Sequence, residues 1–300
     1  MDHVRWLAEP TVRNPTMLYA FTGWNDAGDA ASSAVRTLVE NWGANAVAEI
    51  DPEPFTDFAT IRPHVRISGG RRSIVWPTVG LWSASVPGGD VLLVLGPEPS
   101  LRWRLFGEQL VGVAERFSTS MTISLGALLA DVPHTRPVQI FGTASDPEMT
   151  DRFDLQRSRY EGPTGIVGVL QDALSTAGLA SASLWAAVPQ YAAQIPSPKA
   201  ALALVERACS LIGSPAPVEG LDAAAAGYDA RVAALIADDE DLVEYVSRLE
   251  SLIDDELEAV GDGDLDDTGE TATPNATAAL DPGELVAEVE RFLRDRDADD

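Results

Sequence analysis

The run Asp90-Val91-Leu92-Leu93-Val94-Leu95-Gly96 constrains the fold more than any other segment of the chain. Its apolar residues are continuous, with no polar position alternating between them, which is the pattern of a strand covered on both faces. Such a strand needs a further layer on each side, and helices supply them. The runs 17–22 and Ala182–Val188 have the same character. Between them lie helical patterns: the small residues after Asp29 through Leu38-Val39, the amphipathic stretch Arg102–Phe117, Gly165–Thr176 stopped by Gly178, and Lys199–Ile212. Further strands are expected at Ala46–Ile50, Met121–Ala130 and Val138–Thr143, although Leu125–Ala130 fits a helix equally well. Strands alternating with helices of this length predict an α/β layered sheet.

Two hairpins are also written in the sequence. His64–Ile67 and Ser73–Trp76 flank Ser68-Gly69-Gly70-Arg71, and Pro87-Gly88-Gly89 precedes the run at 90–96. After Pro215 and Pro217 the strand signals stop. Leu242, Val246, Leu249, Ile253 and Leu257 fall on one helical face, and Leu221, Ala225, Tyr228, Val232 and Leu235 form a similar stripe. The division expected is an α/β core over 1–217 and a small all-helical appendage over 218–260, packed near the strand ends as a candidate lid. A disordered acidic linker over 261–283 and an acidic tail over 284–300 with one short helix complete it. The linker holds too few apolar side chains to offset an ordering entropy of roughly 1–2 kcal/mol per residue.

A chain of 300 residues buries enough surface to fold without a disulfide or metal. The one cysteine, Cys209, reads as a small buried hydrophobe, and no Cys/His cluster has metal-ligand spacing. No cofactor is called for. The start has no basic segment leading into an apolar run, and no apolar stretch is long enough to span a bilayer, so a cytoplasmic protein without membrane attachment is expected. The net charge of −26 is uneven: residues 238–300 hold 23 acidic and 4 basic residues. That balance speaks against nucleic acid, whose binding depends on Lys and Arg.

Several segments together resemble the proteasome assembly chaperone 2 family. They are Gly23-Trp24-Asn25-Asp26-Ala27-Gly28-Asp29, Gly96-Pro97-Glu98-Pro99-Ser100 with Arg102-Trp103, and Pro133-His134-Thr135-Arg136-Pro137. Tyr160-Glu161-Gly162-Pro163-Thr164-Gly165 and Ser183-Leu184-Trp185-Ala186 with Pro198-Lys199-Ala200 continue the series. The resemblance implies a phosphorylase/hydrolase-like fold, a homo-oligomer of the trimeric kind, and proteasome-type subunits as partners. Members often carry His after the proline of the late strand, where this chain has Gln190.

In an open α/β sheet, ligands sit beyond the carboxyl ends of the strands. Asn25, Asp26, Asp29, Glu98, His134, Arg136, Arg159, Glu161, Gln190 and Tyr191 all fall at or shortly after such ends and define a candidate crevice. Each has a structural reading beside the functional one. Asn25, Asp26 and Asp29 suit turns and helix caps, Glu98 suits an ion pair with Arg102 or Arg104, and His134 and Arg136 suit a hydrogen-bonded turn. Trp24, Trp76, Trp82, Trp103 and Trp185 read as core or interface residues. Ser32 and Ser33 lack the Gly-x-Ser-x-Gly elbow of a nucleophile. No Gly-rich phosphate loop carries a lysine, Lys199 being the one lysine present.

Two readings follow. The leading one is a non-enzymatic assembly chaperone or interaction protein. The other is a small-molecule hydrolase, a nucleoside-phosphorylase-like enzyme or a metabolite-binding module, with Asp26 and Glu98 as an acid/base pair if burial splits their pKa values.

Overall fold

The computed structural model describes residues 1–262 other than Ser145 and Arg159, with side chains as far as Asp255. The chain begins with β1 (Val4–Trp6), β2 (Thr16–Thr22), α1 (Ala30–Asn41) and β3 (Asn45–Ile50). Two hairpins follow, β4 (His64–Ser68) with β5 (Arg71–Val75), then β6 (Val79–Val86) with β7 (Gly89–Pro97). Next come α2 (Trp103–Arg116), β8 (Met121–Ala130), β9 (Ile140–Ala144), α3 (Pro147–Phe153), α4 (Ile166–Thr176), β10 (Ser181–Pro189) and α5 (Pro198–Ile212). The helices α6 (Leu221–Ala226), α7 (Tyr228–Ile236) and α8 (Glu240–Asp262) end the described part.

The main sheet has the order β1-β3-β6-β7-β2-β8-β10-β9. Its centre, β7-β2-β8-β10, is parallel, and the strands on either side are antiparallel. Alternation along β2 divides the core. Leu18 and Ala20 face the side covered by α1 and α5, whereas Met17, Tyr19 and Phe21 face the side covered by α2 and α4. All five are fully buried, as the continuous apolar run demanded. The fold is therefore the layered α/β sheet expected. It is closed on one face by Ala-rich helices that lie close and on the other by aromatic packing among Phe21, Phe55 and Phe106.

Some elements differ from the sequence expectation. Met121–Ala130 is strand throughout, because all of it from Thr122 onward pairs with Ser181–Pro189 of β10. β1 and α3 were not foreseen. β1 is three residues long, and α3 is a single short helix whose start is capped by Asp146 accepting from the Glu148 amide at 2.8 Å. Leu221–Ile236 is two helices that meet at Gly227. The break shifts the stripe, so Ile236 is buried and Leu235 is 58% exposed. Helix α8 runs two residues into the segment read as linker; the rest of 261–283 and the tail 284–300 lie outside the described residues.

The hairpin β4–β5 stands apart. It forms its own two-stranded sheet, and all ten of its residues are exposed. Gly69 and Gly70 have φ of 56° and 75°, the left-handed pair that a tight two-residue turn requires. Val65 pairs with Ile74 and Ile67 with Arg72, which places Val65, Ile67, Arg72 and Ile74 on one face, while Trp76 follows the strand and its ring meets that of Phe58 edge-on at 5.0 Å. The other face carries His64, Arg66 and Arg71.

Helix α7 packs on the segment that follows β10. Tyr228 and Val232 of α7 are fully buried against Tyr191, Ala192 and Ile195. A chain ending at Pro217 is accordingly expected to expose that cluster and to aggregate on expression. Recovery of a monodisperse truncated protein with an unchanged melting temperature would contradict this.

Candidate functional site

The loops after β2, β7, β8 and β10 gather at one end of the sheet because those four strands are parallel. The residues expected there separate into two groups.

The first group lies around the starts of α1 and α4, which are closed by its carboxylates Asp26 and Glu98. Asn25 is buried; its side-chain amide donates to the Phe21 carbonyl at 2.7 Å, and its own carbonyl accepts from the Ala127 amide at 2.9 Å. The loop thereby continues the sheet alongside β8 after β2 itself has ended. Asp26 is 6% exposed and accepts the Ser32 amide of α1 at 3.0 Å on one carboxylate oxygen. Burial pushes its carboxyl above the usual range, against the hydrogen bonds from Ser32, and the neighbouring Asp29 charge pushes the same way. Asp29 precedes α1 with φ of 52°, a left-handed conformation, and its side chain makes no cap hydrogen bond. Gly28, at φ of 58°, lets this turn approach α5: a Cβ there would lie 3.0 Å from that of Ser197.

Glu98 acts across the same end of the sheet. Its carboxylate accepts the Ile166 amide at 3.0 Å and so caps α4, whose N-cap residue Gly165 has no side chain to do so. Its ion pair with Arg102 or Arg104 is absent among the described contacts; the backbone N–H groups of a helix start are a better-placed partner for a carboxylate. Asp26 and Glu98 thus each cap a different helix, α1 and α4, through one carboxylate oxygen, and the second oxygen of Asp26 is buried without a hydrogen-bond partner.

The second group gathers around His134. The Tyr191 hydroxyl accepts the His134 amide at 2.7 Å and lies 2.9 Å from the ring Nδ1. Burial pushes this hydroxyl up to about 12. His134 is 4% exposed, and its Nε2 is buried without a protein partner. Arg136 makes a two-pronged pair with Asp254 of α8 at 2.7 and 2.6 Å, with Glu250 at 3.7 Å. Lys199 donates to both oxygens of Asp229 on α7 at 3.0 Å and to the His134 carbonyl. Thr135 bonds Glu250, and Tyr245 bonds Asp131. A cleft lined by His134, Arg136, Gln139, Ser197, Lys199 and Tyr228 lies within this group and has room for about one water molecule.

Gln190 and Glu161 are exposed on their loops, and Arg159 lies outside the described residues. Lys199, Asp229, Glu250 and Asp254 belong to the second group although sequence reasoning passed over them. Two signals pointed to them: Lys199 is the chain's one lysine and follows the late strand, and Glu250 and Asp254 are four apart on one helical face. Among the described residues, no group of three His, Cys, Asp or Glu side chains is placed to hold a metal ion. Cys209 is buried, and burial raises its thiol to about 12. No described helix is long and apolar enough to cross a membrane.

Two consequences can be measured. A carboxyl raised by burial favours the protonated form in the fold, so the stability it contributes fades as pH rises from the unfolded value of about 4 toward the raised one. At neutral pH, Asp26→Asn keeps an oxygen for the Ser32 amide and removes a buried charge, so its melting temperature should match or exceed that of the unaltered chain. Asp26→Ala should cost about 1 kcal/mol through loss of the cap. A drop of many degrees for Asp26→Asn would show that the fold needs the charge itself.

For His134 the sign is opposite to that of a His gaining a partner. Burial holds the imidazole below its usual range, more than Asp229 and Glu250 raise it, and the Lys199 charge lowers it further. The unfolded ring protonates first, so stability should be level above about pH 6.5 and fall as pH drops through that value toward the lowered one. In thermal melts from pH 7.5 to 5.5, His134→Gln should flatten part of this decline. An identical slope would show that His134 does not titrate in this range.

Comparison with known proteins places this geometry in context. A profile of the PAC2 family matches residues 20–236. A PAC2 family protein from Streptomyces avermitilis is 46% identical, covering 77% of this chain and 99% of that one, with a TM-score of 0.72. A proteasome-assembly chaperone homologue of Mycobacterium tuberculosis, Rv2125, is 41% identical over 77% of this chain and 99% of its own, with a TM-score of 0.70. PbaB of Pyrococcus furiosus, an archaeal proteasome activator, shares the fold at 14% identity, covering 77% of this chain and 97% of that one, with a TM-score of 0.64. No curated protein matches the chain.

Proposed function

The chain belongs to the PAC2 family, and from that premise we propose that it is a chaperone-like interaction protein that works by surface contact and not by catalysis. Its partners are then proteasome-type subunits, the class that the names of two structural neighbours point to. The observation that carries this reading is the hairpin β4–β5. Val65, Ile67 and Ile74 are 53%, 73% and 42% exposed on one face of a two-stranded ribbon, and Trp76, just after it, is 47% exposed. A two-stranded ribbon is marginal in water, and uncovered β-branched side chains side by side are a contact surface in waiting. The strand-end residues, by contrast, are engaged in capping helices and holding α8, and the cleft beside His134 has room for about one water molecule.

Self-association, as a trimer, is part of the same proposal, with segment 64–82 in the contact. The ribbon is also basic, with Arg62, Arg66, Arg71 and Arg72 and no acidic residue from Phe58 to Val79, in a chain of net charge −26. An arm of that charge reaching onto an acidic neighbouring copy offsets the repulsion between like molecules.

Light scattering on the size-exclusion column tests this. The unaltered chain should elute as an oligomer at micromolar concentration, and Ile67→Asp with Ile74→Asp should elute as a monomer with an unchanged melting temperature, since neither residue is in the core. A monodisperse monomer for the unaltered chain would overturn the self-association.

A further inference from the structure

The cations beyond the ends of β8 and β10 come from the elements around the sheet, and the carboxylates that neutralise them come from the C-terminal helices. Arg136 and Lys199 come from the loop after β8 and the first turn of α5. Among the described ion pairs their partners are Asp229 of α7 and Glu250 and Asp254 of α8, every one from the C-terminal helices. Beside these cations, Nε2 of His134 and Oε1 of Gln139 are buried without a protein partner and line the same cleft. The position is the one where open α/β sheets bind their ligands. With α8 in place the site is charge-neutral or acidic. With α8 away, Arg136 is left with a free planar fork that suits a carboxylate pair.

Helix α8 is held differently from α7. The α7 side chains Tyr228 and Val232 are fully buried, which makes α7 part of the core. On α8, Val246 and Leu249 are the buried apolar residues, while Val243 and Leu252 are 44% and 60% exposed. Among the described residues Leu242 and Ile253 are half-buried, Ile253 lines the same cleft, the Tyr245 ring lies 6.3 Å from that of Tyr191, and polar contacts add Glu250 and Asp254 on Arg136, Glu250 on Thr135 and Tyr245 on Asp131. Contacts of this kind at a partly exposed surface weaken with salt and are readily exchanged for equivalent ones.

We propose that the Arg136 site is a docking site for an acidic helix of a partner protein, and that α8 occupies it as an internal competitor. The ligand class follows from what fills the site now: a helix with two carboxylates four residues apart, Glu250 and Asp254, and an aromatic hydroxyl one turn or so earlier, Tyr245. The partner's helix replaces α8 on Arg136 and Thr135, while α7 and the Lys199–Asp229 pair stay in place. This rests on the reading of the chain as an interaction protein, but the surface is separate from the β4–β5 hairpin, so failure here leaves the light-scattering result untouched.

The test uses the α8 sequence itself as the probe. A fluorescein-labelled peptide of residues 238–255 is titrated with the full chain and read by anisotropy, at low and at moderate salt. A competitor tethered within the chain acts at high effective concentration, so releasing it by Glu250→Gln with Asp254→Asn should tighten peptide binding by about tenfold or more. Adding Arg136→Gln to that variant should abolish the gain, and a scrambled peptide of the same composition should bind neither chain. If the double variant does not fold, Asp254→Asn alone gives the same comparison. Equal binding by the unaltered and released chains, loss of no affinity with Arg136→Gln, or equal binding of the scrambled peptide would each overturn the proposal.

Discussion

Four parallel strands buried on both faces leave a chain few places for polar side chains. In β7, β2, β8 and β10 almost every position is covered by a helix layer, and the polar residues that do occur inside, such as Ser124 and Ser183, satisfy one another at 2.7 Å. Charged groups are driven to the strand ends, where helix starts present unpaired N–H groups. Asp26 and Glu98 are there for that reason. They close α1 and α4, which lie on opposite faces of the sheet, so the same end of the sheet anchors both helix layers.

The same constraint commits polar side chains at the strand ends to contacts within the fold. Asp26 and Glu98 each cap a helix through one oxygen, His134 is held by Tyr191, and Arg136 and Lys199 are met by α8 and α7. What the fold leaves uncovered is the β4–β5 ribbon, inserted between β3 and β6 and contributing nothing to the main sheet. A segment that the core does not need, yet that exposes Ile67 and Trp76, makes sense as a surface for another polypeptide.

Much of this was legible in the sequence because it depends on local pattern. The continuous run at 90–96, the Gly69-Gly70 turn and the helical stripe at Val246 and Leu249 each encode their own burial or conformation. The partners of charged residues were not legible, because they are set by which elements the topology brings together. Glu98 has arginines four and six positions away, yet it meets Ile166, 68 residues on. Arg136 meets Asp254 across 118 residues, a contact created only when α8 crosses the ends of β8 and β10. The split at Gly227 was hidden for a different reason: the alanines on either side fit one helix or two. The family resemblance read from the sequence motifs agreed with the profile match over 20–236.

The central claim is that the molecule acts through its ribbon and not through chemistry at the strand ends. Hydrogen–deuterium exchange of the full chain, alone and with purified proteasome-type subunits from the same cell, tests it most directly. The account predicts that amides of residues 64–76 become protected on mixing while those of 23–29 and 98–102 exchange as before. Unchanged exchange in the ribbon, with protection appearing instead in the two strand-end loops, would contradict it.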